Sequence, residues 1–152
     1  MQPGDPSDVI DIGDADMDGL LRFDGLIVGA PTWNTGSDEM RSMTDWDDKL
    51  DSIRELSLKG KPVAVFGLGD SCGYGDYFCD AIEELHDAFE SAGGKMIGYV
   101  SPEGYDFTDS KSVRDGRFLG LPLDATNEDD LTEDRVKAWT KQLASEGMIA
   151  QK

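Results

Sequence analysis

The chain has few of the side chains on which most catalytic sites depend. Its 152 residues include one histidine, His86, and two cysteines, Cys72 and Cys79. The cysteines lie seven positions apart, a spacing that suits neither a CxxC redox pair nor a zinc site, so we expect two free thiols in a reducing compartment. His86 lies among acidic residues on a predicted helix and is expected to be a solvated surface residue. The sequence therefore argues against histidine-based catalysis and against a metal site.

Basic residues and long apolar runs are also scarce. The chain carries 14 Lys and Arg residues against 32 Asp and Glu residues, which gives a net charge of −18. Such a surface repels phosphate backbones and anionic lipids, and no apolar run reaches the length of a membrane span. We therefore expect no nucleic-acid partner and no membrane insertion. The charge favours a partner with a basic docking face, although it would equally suit solubility or adaptation to salt.

The rest of the sequence alternates short apolar runs with segments of helical periodicity. Strands are predicted at residues 8–12, 25–30, 62–66, 95–100 and, as a further candidate, 117–123. Helices are predicted at residues 45–56, 77–92 and 132–146, with a weaker helical or turn-like segment at 14–21. Because strands alternate with helices, we expect one α/β domain over residues 1–152, built on a doubly wound parallel sheet.

Two features of the carboxyl-terminal third stand out. Residues 101–132 have no helical period and are rich in Asp, Gly, Ser and Pro, and so long an interruption inside a compact domain is usually functional. The final helix is expected to place Val136, Trp139 and Leu143 on its inner face.

Two polar loops follow predicted strands at their carboxyl ends, where parallel α/β sheets bind ligands. Residues 32–36 follow the strand at 25–30 and offer Trp33, and residues 68–77 follow the next strand and offer Tyr74. Two aromatic side chains facing each other across one sheet edge would form a slot for a flat ring. The alternatives are an ordinary glycine-rich surface turn and edge packing of the two aromatic side chains.

Three segments together resemble the flavodoxins: GAPTWNTG at residues 29–36, GLGDSCGY at 67–74 and SKSVRDGRFLGL at 110–121. The interruption after Val100 is similar to the insertion that splits the last strand in long-chain members, typical of cyanobacteria and algae. The resemblance implies a flavodoxin-like sheet with helices on both faces. It also implies a low-potential electron carrier, not an enzyme, that uses non-covalently bound FMN.

The resemblance also implies which residues contact the flavin. Trp33 and Tyr74 would sandwich the ring, and the Asn34–Thr35 peptide would turn its carbonyl toward the flavin N5–H when the first electron arrives. Asp70 would accept a hydrogen bond from the N3–H of the pyrimidine end. The full set of implied contacts is Thr32, Trp33, Asn34, Thr35, Gly36, Leu68, Gly69, Asp70, Tyr74 and Tyr77, the last with the least defined role.

The sequence departs from the flavodoxin pattern at its start. Flavodoxins begin with a strand that leads into a Thr- and Gly-rich phosphate loop and a first helix, whereas this sequence starts at what resembles the second strand. We therefore expect either a truncated sequence or a variant without that loop. Hydrogen bonds to the phosphate would then be lost, so weak FMN binding and a similar affinity for riboflavin are expected.

The partners implied by the resemblance are ferredoxin–NADP⁺ reductase and photosystem I, or other redox proteins with basic docking faces. A monomer is expected, in the chloroplast stroma if the source is algal and otherwise in the cytoplasm. Two other classes stay open: an FMN-dependent reductase, alone or as a module, and a truncated or non-redox form whose flavin site is vestigial.

Overall fold

The computed structural model describes residues 25–30, 46–68, 81–105, 110, 112–124 and 128–146. Its strands are β1 (Leu26–Ala30), β2 (Pro62–Leu68), β3 (Lys95–Ile97), β4 (Val113–Arg114), β5 (Arg117–Phe118) and β6 (Leu121–Leu123). Its helices are α1 (Trp46–Arg54), α2 (Ala81–Ser91) and α3 (Asp129–Ser145). The predicted strand at 8–12 and the weak segment at 14–21 lie outside the described residues.

Strand β2 is the centre of the described sheet. It pairs in parallel with β1 along Val63–Gly67, with β3 at Pro62–Ala64 and with β6 at Phe66–Leu68. Because β1 occupies one edge of β2, β3 and β6 must share the other edge. The last strand position is thus filled in two halves, with residues 98–120 between them, which agrees with the predicted interruption of the last strand.

Two predicted strands were too long. The strand predicted at 95–100 ends at Ile97, and Val100 instead forms an antiparallel bridge to Phe118. The strand predicted at 117–123 is two elements, because β5 pairs with β4 in an antiparallel hairpin and only β6 joins the parallel sheet. The hairpin turn is Asp115-Gly116, with φ of 55° and 79°, the left-handed conformation that a tight two-residue hairpin turn requires.

The chain leaves the sheet at Gly98, where the first half of the last strand ends. Gly98 has a φ of +83°, and a Cβ there would lie 2.8 Å from Leu143 Cδ2, so the position requires glycine. Its N–H donates to Glu146 Oε1 at 2.8 Å, and its carbonyl accepts from Trp139 Nε1 at 2.9 Å. Side chains at the end of α3 therefore replace the sheet partners that Gly98 loses.

Apolar side chains pack on both faces of the sheet. Val63 and Val65 of β2 point into a cluster with α1 and α2, and Ala64 points into a second cluster with α3. This alternation follows from the two-residue period of a strand. The larger cluster consists of Leu26, Ile53, Leu58, Val63, Val65, Ile82, Leu85, Ala88, Phe89, Ala92, Phe118 and Leu119. Helices on both faces confirm the predicted doubly wound α/β class.

The prediction for the inner face of the last helix was wrong at Val136, which is 37% exposed, while Trp139 and Leu143 are buried. The inner position one turn before Trp139 belongs to Arg135, whose side chain is only 14% exposed. Its guanidinium bonds Glu128 at 2.9 Å and lies 4.0 Å from the centre of the Tyr105 ring. A long cationic side chain thus covers apolar surface where an apolar residue was expected. The helix also begins at Asp129, earlier than predicted.

The prediction that His86 is a solvated surface residue was also wrong, because it is only 1% exposed. Its Nε2 lies 2.8 Å from the Tyr99 hydroxyl and its Nδ1 lies 3.0 Å from Asp87 Oδ1. The chain that leaves the sheet after Gly98 carries Tyr99 over this side of α2, which buries the imidazole. No described helix combines the length and the apolar character needed to cross a membrane.

Candidate functional site

The carboxyl edge of the sheet is where the two predicted cofactor loops begin. In the parallel register of β1 and β2, Ala30 pairs with Gly67. The chain therefore enters residues 31–36 and residues 69–77 from neighbouring strand ends. Of the ten predicted flavin contacts the structure describes Leu68, and nine lie outside the described residues: Thr32, Trp33, Asn34, Thr35, Gly36, Gly69, Asp70, Tyr74 and Tyr77.

Leu68 is the last residue of β2 and presents apolar surface at this edge. Its side chain is 37% exposed, whereas Val63, Ala64 and Val65 of the same strand are fully buried. Its backbone is held in register with Leu123 of β6. The edge thus offers an accessible apolar contact directly beside the origin of the second loop.

The last residues of the sheet before this edge are tightly packed. A Cβ on Gly29 would lie 2.1 Å from the Phe66 ring, so a glycine at this position lets the Phe66 ring cross directly over β1. The same ring meets Trp139 edge-on, with 6.4 Å between ring centres. The end of β1 is therefore fixed against β2 and α3 immediately before the first loop begins.

Helix α2 is contacted by the segment that carries the β4–β5 hairpin. The backbone N–H of Glu83 donates to Ser112 Oγ at 3.0 Å, and Ser112 is fully buried. Arg114 contacts both oxygens of Asp87 at 3.3 Å and Glu83 at 3.7 Å. These contacts join the segment that interrupts the last strand to α2.

The environment of this junction shifts the pKa values of its ionisable groups. Burial disfavours the charged form of Asp87, but hydrogen bonds from Arg114 and His86 outweigh it, so the pKa of Asp87 lies below its usual value. The hydrogen bond to Asp87 raises the pKa of Arg114. Burial, assisted by the negative charge of Glu90, raises the pKa of the Tyr99 hydroxyl. At neutral pH the junction therefore contains an ionised Arg114–Asp87 pair beside a neutral Tyr99.

Sequence reasoning missed this junction. The Asp115-Gly116 dipeptide between short alternating segments is a strong hairpin signal that could have located β4 and β5. No sequence signal pairs Ser112 with Glu83, because the two residues are 29 positions apart.

Comparison with known proteins decides the family. The sequence model of the flavodoxin family matches residues 2–139. The chain belongs to the flavodoxin family. Its members are electron-transfer flavoproteins rather than enzymes, which confirms the predicted family, fold and non-enzymatic role. The matched range includes residues 31–36 and 69–77, which hold nine of the ten predicted flavin contacts.

Individual flavodoxins agree with this assignment. The flavodoxin of Nostoc sp. (strain PCC 7120) is 46% identical over 136 residues, which cover 90% of this chain and 78% of that protein. Flavodoxin 2 of Escherichia coli (strain K12) is 44% identical over 129 residues, which cover 84% of this chain and 72% of that protein. The structure of Fusobacterium nucleatum flavodoxin bound to flavin mononucleotide matches with a TM-score of 0.80 at 30% identity, covering 89% of this chain and 78% of that one.

Proposed function

We propose that this chain is a low-potential electron carrier that binds FMN non-covalently at the carboxyl edge of its sheet. The observation that carries the proposal is the pairing of Ala30 with Gly67, because it starts both predicted flavin loops at neighbouring backbone positions. Adjacent parallel strands lie about 4.8 Å apart, so loops that begin on paired residues start within reach of both faces of one ring. The FMN bound by the Fusobacterium flavodoxin supports this choice of cofactor.

The part of the edge that the structure describes fits a flat, largely apolar ring. Leu68 offers accessible apolar surface there, and the packing of Phe66 over Gly29 gives the edge a rigid base. A rigid base suits an electron carrier, because a cofactor held in one geometry needs little rearrangement when its charge changes. FMN, when bound, supplies one-electron and two-electron transfer.

The proposed roles of the loop residues follow the family resemblance. Trp33 and Tyr74 flank the two faces of the ring, and the Asn34–Thr35 peptide reorients toward N5–H. Asp70 accepts a hydrogen bond from N3–H. The remaining proposed contacts are Thr32, Gly36, Leu68, Gly69 and Tyr77.

The net charge of −18 supports a low potential for the second electron. A surrounding negative field raises the free energy of any added negative charge, and electron-rich aromatic partners act in the same direction. The chain's own contribution to the reaction is therefore to hold the ring, shield it from water and set its potential.

The finer proposals concern type, partners and location. We propose a single-domain monomer of the long-chain type, supported by the division of the last strand into β3 and β6. Ferredoxin–NADP⁺ reductase and photosystem I are the proposed partners, supported by identities of 42–46% to cyanobacterial flavodoxins. The proposed location is the chloroplast stroma if the source is algal, and otherwise the cytoplasm.

Stopped-flow electron transfer between the FMN-loaded chain and ferredoxin–NADP⁺ reductase tests this proposal. We expect the association rate to fall steeply as ionic strength rises, because salt screens the attraction between the acidic carrier and a basic docking face. A rate that stays flat from low to high salt would contradict the docking proposal. Oxidation of NAD(P)H by the chain alone would instead favour the reductase alternative.

A further inference from the structure

A surface groove of about 440 Å³ runs along the outer side of β3. Five consecutive residues, 95–99, line it together with Arg117 and Glu146. In the described part of the sheet β3 pairs with β2 alone, so the groove follows a strand edge that no described strand covers. Because β3 pairs with Pro62–Ala64 at the start of β2, the groove lies toward the opposite end of the sheet from the carboxyl edge.

The backbone of β3 offers a donor and an acceptor to this groove. The Lys95 N–H donates to the Lys61 carbonyl at 2.8 Å, which directs Lys95 toward β2. Successive residues of a parallel strand direct their hydrogen-bonding groups to opposite sides, so the N–H and C=O of Met96 point away from β2. The next N–H on that side belongs to Gly98 and donates to Glu146 Oε1 at 2.8 Å. A carboxylate oxygen therefore already serves as an acceptor along this edge.

The side chains of the groove favour negative charge, although the chain as a whole is acidic. Neither Lys95 nor Arg117 forms an ion pair with a carboxylate of the described residues. Both oxygens of Glu146, the carboxylate in the lining, accept hydrogen bonds from within the chain. The Arg117 guanidinium lies 4.9 Å from the centre of the Tyr99 ring. Two available cations therefore stand at the two ends of residues 95–99.

We propose that this groove docks an extended segment of a partner protein that carries acidic side chains. The segment lies beside β3 as an added strand, bonds the backbone of Met96 and places carboxylates near Lys95 and Arg117. At physiological ionic strength charges act over only about 8 Å, so these local cations outweigh the distant acidic residues.

A partner held in this groove leaves the carboxyl edge accessible, because that edge begins beyond Leu68 at the other end of β2. The groove would therefore hold a second protein without covering the place where the flavin is proposed to bind. Docking here depends on the edge of β3 and on two cations, and it does not rest on the proposed FMN function.

NMR titration of the isotope-labelled full chain tests the proposal at physiological ionic strength. The probe is a peptide with blocked ends and the sequence DVTVD, whose two carboxylates stand as far apart in sequence as Lys95 and Tyr99. The peptide KVTVK is its charge-reversed control. Lys95→Gln and Arg117→Gln each remove one cation of the groove. Lys141→Gln is the matched control, because Lys141 is an exposed lysine of α3 outside the groove lining.

We expect saturable amide shifts at Met96 and its neighbours with DVTVD and none with KVTVK. Lys95→Gln and Arg117→Gln should each weaken the affinity about twofold to fivefold, whereas Lys141→Gln should leave it unchanged. Equal shifts with both peptides, or the same affinity in all three variants, would overturn the acidic partner. Absence of saturable shifts along residues 95–99 would overturn the docking site and leave Lys95 as a charge that protects the strand edge. FMN binding is measured separately, so its failure would leave this result standing.

Discussion

The replacement Gly98→Ala probes the point where the last strand is interrupted. Two separate costs are expected at this position. The first is backbone strain, because φ is +83°, and a left-handed conformation costs a non-glycine residue about 1–2 kcal/mol. The second is a steric clash, because the new Cβ would lie 2.8 Å from Leu143 Cδ2 and 2.9 Å from Trp139 Nε1. Overpacking of this kind costs about 1–3 kcal/mol.

Gly104→Ala is a matched control for the strain. Gly104 has a φ of +85°, and a Cβ there would meet nothing within 4 Å. The control should therefore lose about 1–2 kcal/mol, whereas Gly98→Ala should lose about 2–5 kcal/mol when both costs are included. For a chain of this size each kcal/mol corresponds to roughly 2–4 °C in melting temperature.

Urea unfolding followed by far-ultraviolet circular dichroism measures both variants against the unmutated chain. The difference between the two variants isolates the clash with the α3 side chains. Equal free energies of unfolding for Gly98→Ala and Gly104→Ala would refute the claim that α3 packs closely against the break in the strand.

Three further predictions concern the junction and the flavin. Tyr99→Phe leaves the Nε2 of buried His86 without its 2.8 Å partner, so we expect a loss of about 1–3 kcal/mol in urea unfolding; a loss below about 0.5 kcal/mol would contradict this. Burial opposes the ionised form of Asp87, but hydrogen bonds from Arg114 and His86 hold the folded pKa of Asp87 below its usual value, so its contribution to stability is present above the unfolded pKa and disappears as the pH falls through the folded pKa. Asp87→Asn should therefore make the free energy of unfolding less dependent on pH below about pH 5, and an unchanged acid limb would count against the Arg114 pair. Tyr74→Ala should raise the potential of the second electron of bound FMN, measured by spectroelectrochemistry, because an electron-rich stacking partner is lost; an unchanged potential would refute the stacking role.

The sheet was predictable from sequence because its signals are local. The apolar runs at Leu26–Ala30 and Pro62–Leu68 are continuous, the pattern of strands covered on both faces, and both form strands. Ile27 of the first strand is nevertheless 43% exposed, so the run marked the strand correctly but not its full burial. Glycines after α2 marked its end. The family resemblance supplied what these runs could not, namely the division of the last strand.

The wrong predictions for His86 and Val136 have a common physical cause. Both depend on contacts between segments that are distant in the sequence. His86 is buried because residues after Gly98 carry Tyr99 over α2, and nothing near His86 in the sequence indicates this. Val136 is exposed because Arg135 takes the inner position, which is favourable only beside Glu128 and Tyr105. A prediction from helical periodicity considers only the hydrophobicity of each side chain and takes no account of contacts such as those that Arg135 makes.

The predicted flavin site also has a part that the structure describes and a part that rests on the family resemblance. The strand ends that position it follow from the parallel order of β1 and β2, and the structure describes them at Ala30 and Leu68. The roles of Trp33, Asp70 and Tyr74 rest on the family resemblance and stay predictions. The hydrogen bond from the Glu83 N–H to Ser112 Oγ could not be predicted, because two residues 29 positions apart leave no pattern in sequence.

Titration of the purified chain with FMN tests the central claim most directly. Flavin fluorescence and visible absorption are recorded as FMN is added, and the bound fraction is followed to saturation. We predict saturable binding of one FMN per chain, with quenched fluorescence as Trp33 and Tyr74 stack on the ring and a shifted absorption spectrum. Fluorescence that follows free FMN at every concentration, with no spectral shift, would contradict the account and identify the site as vestigial.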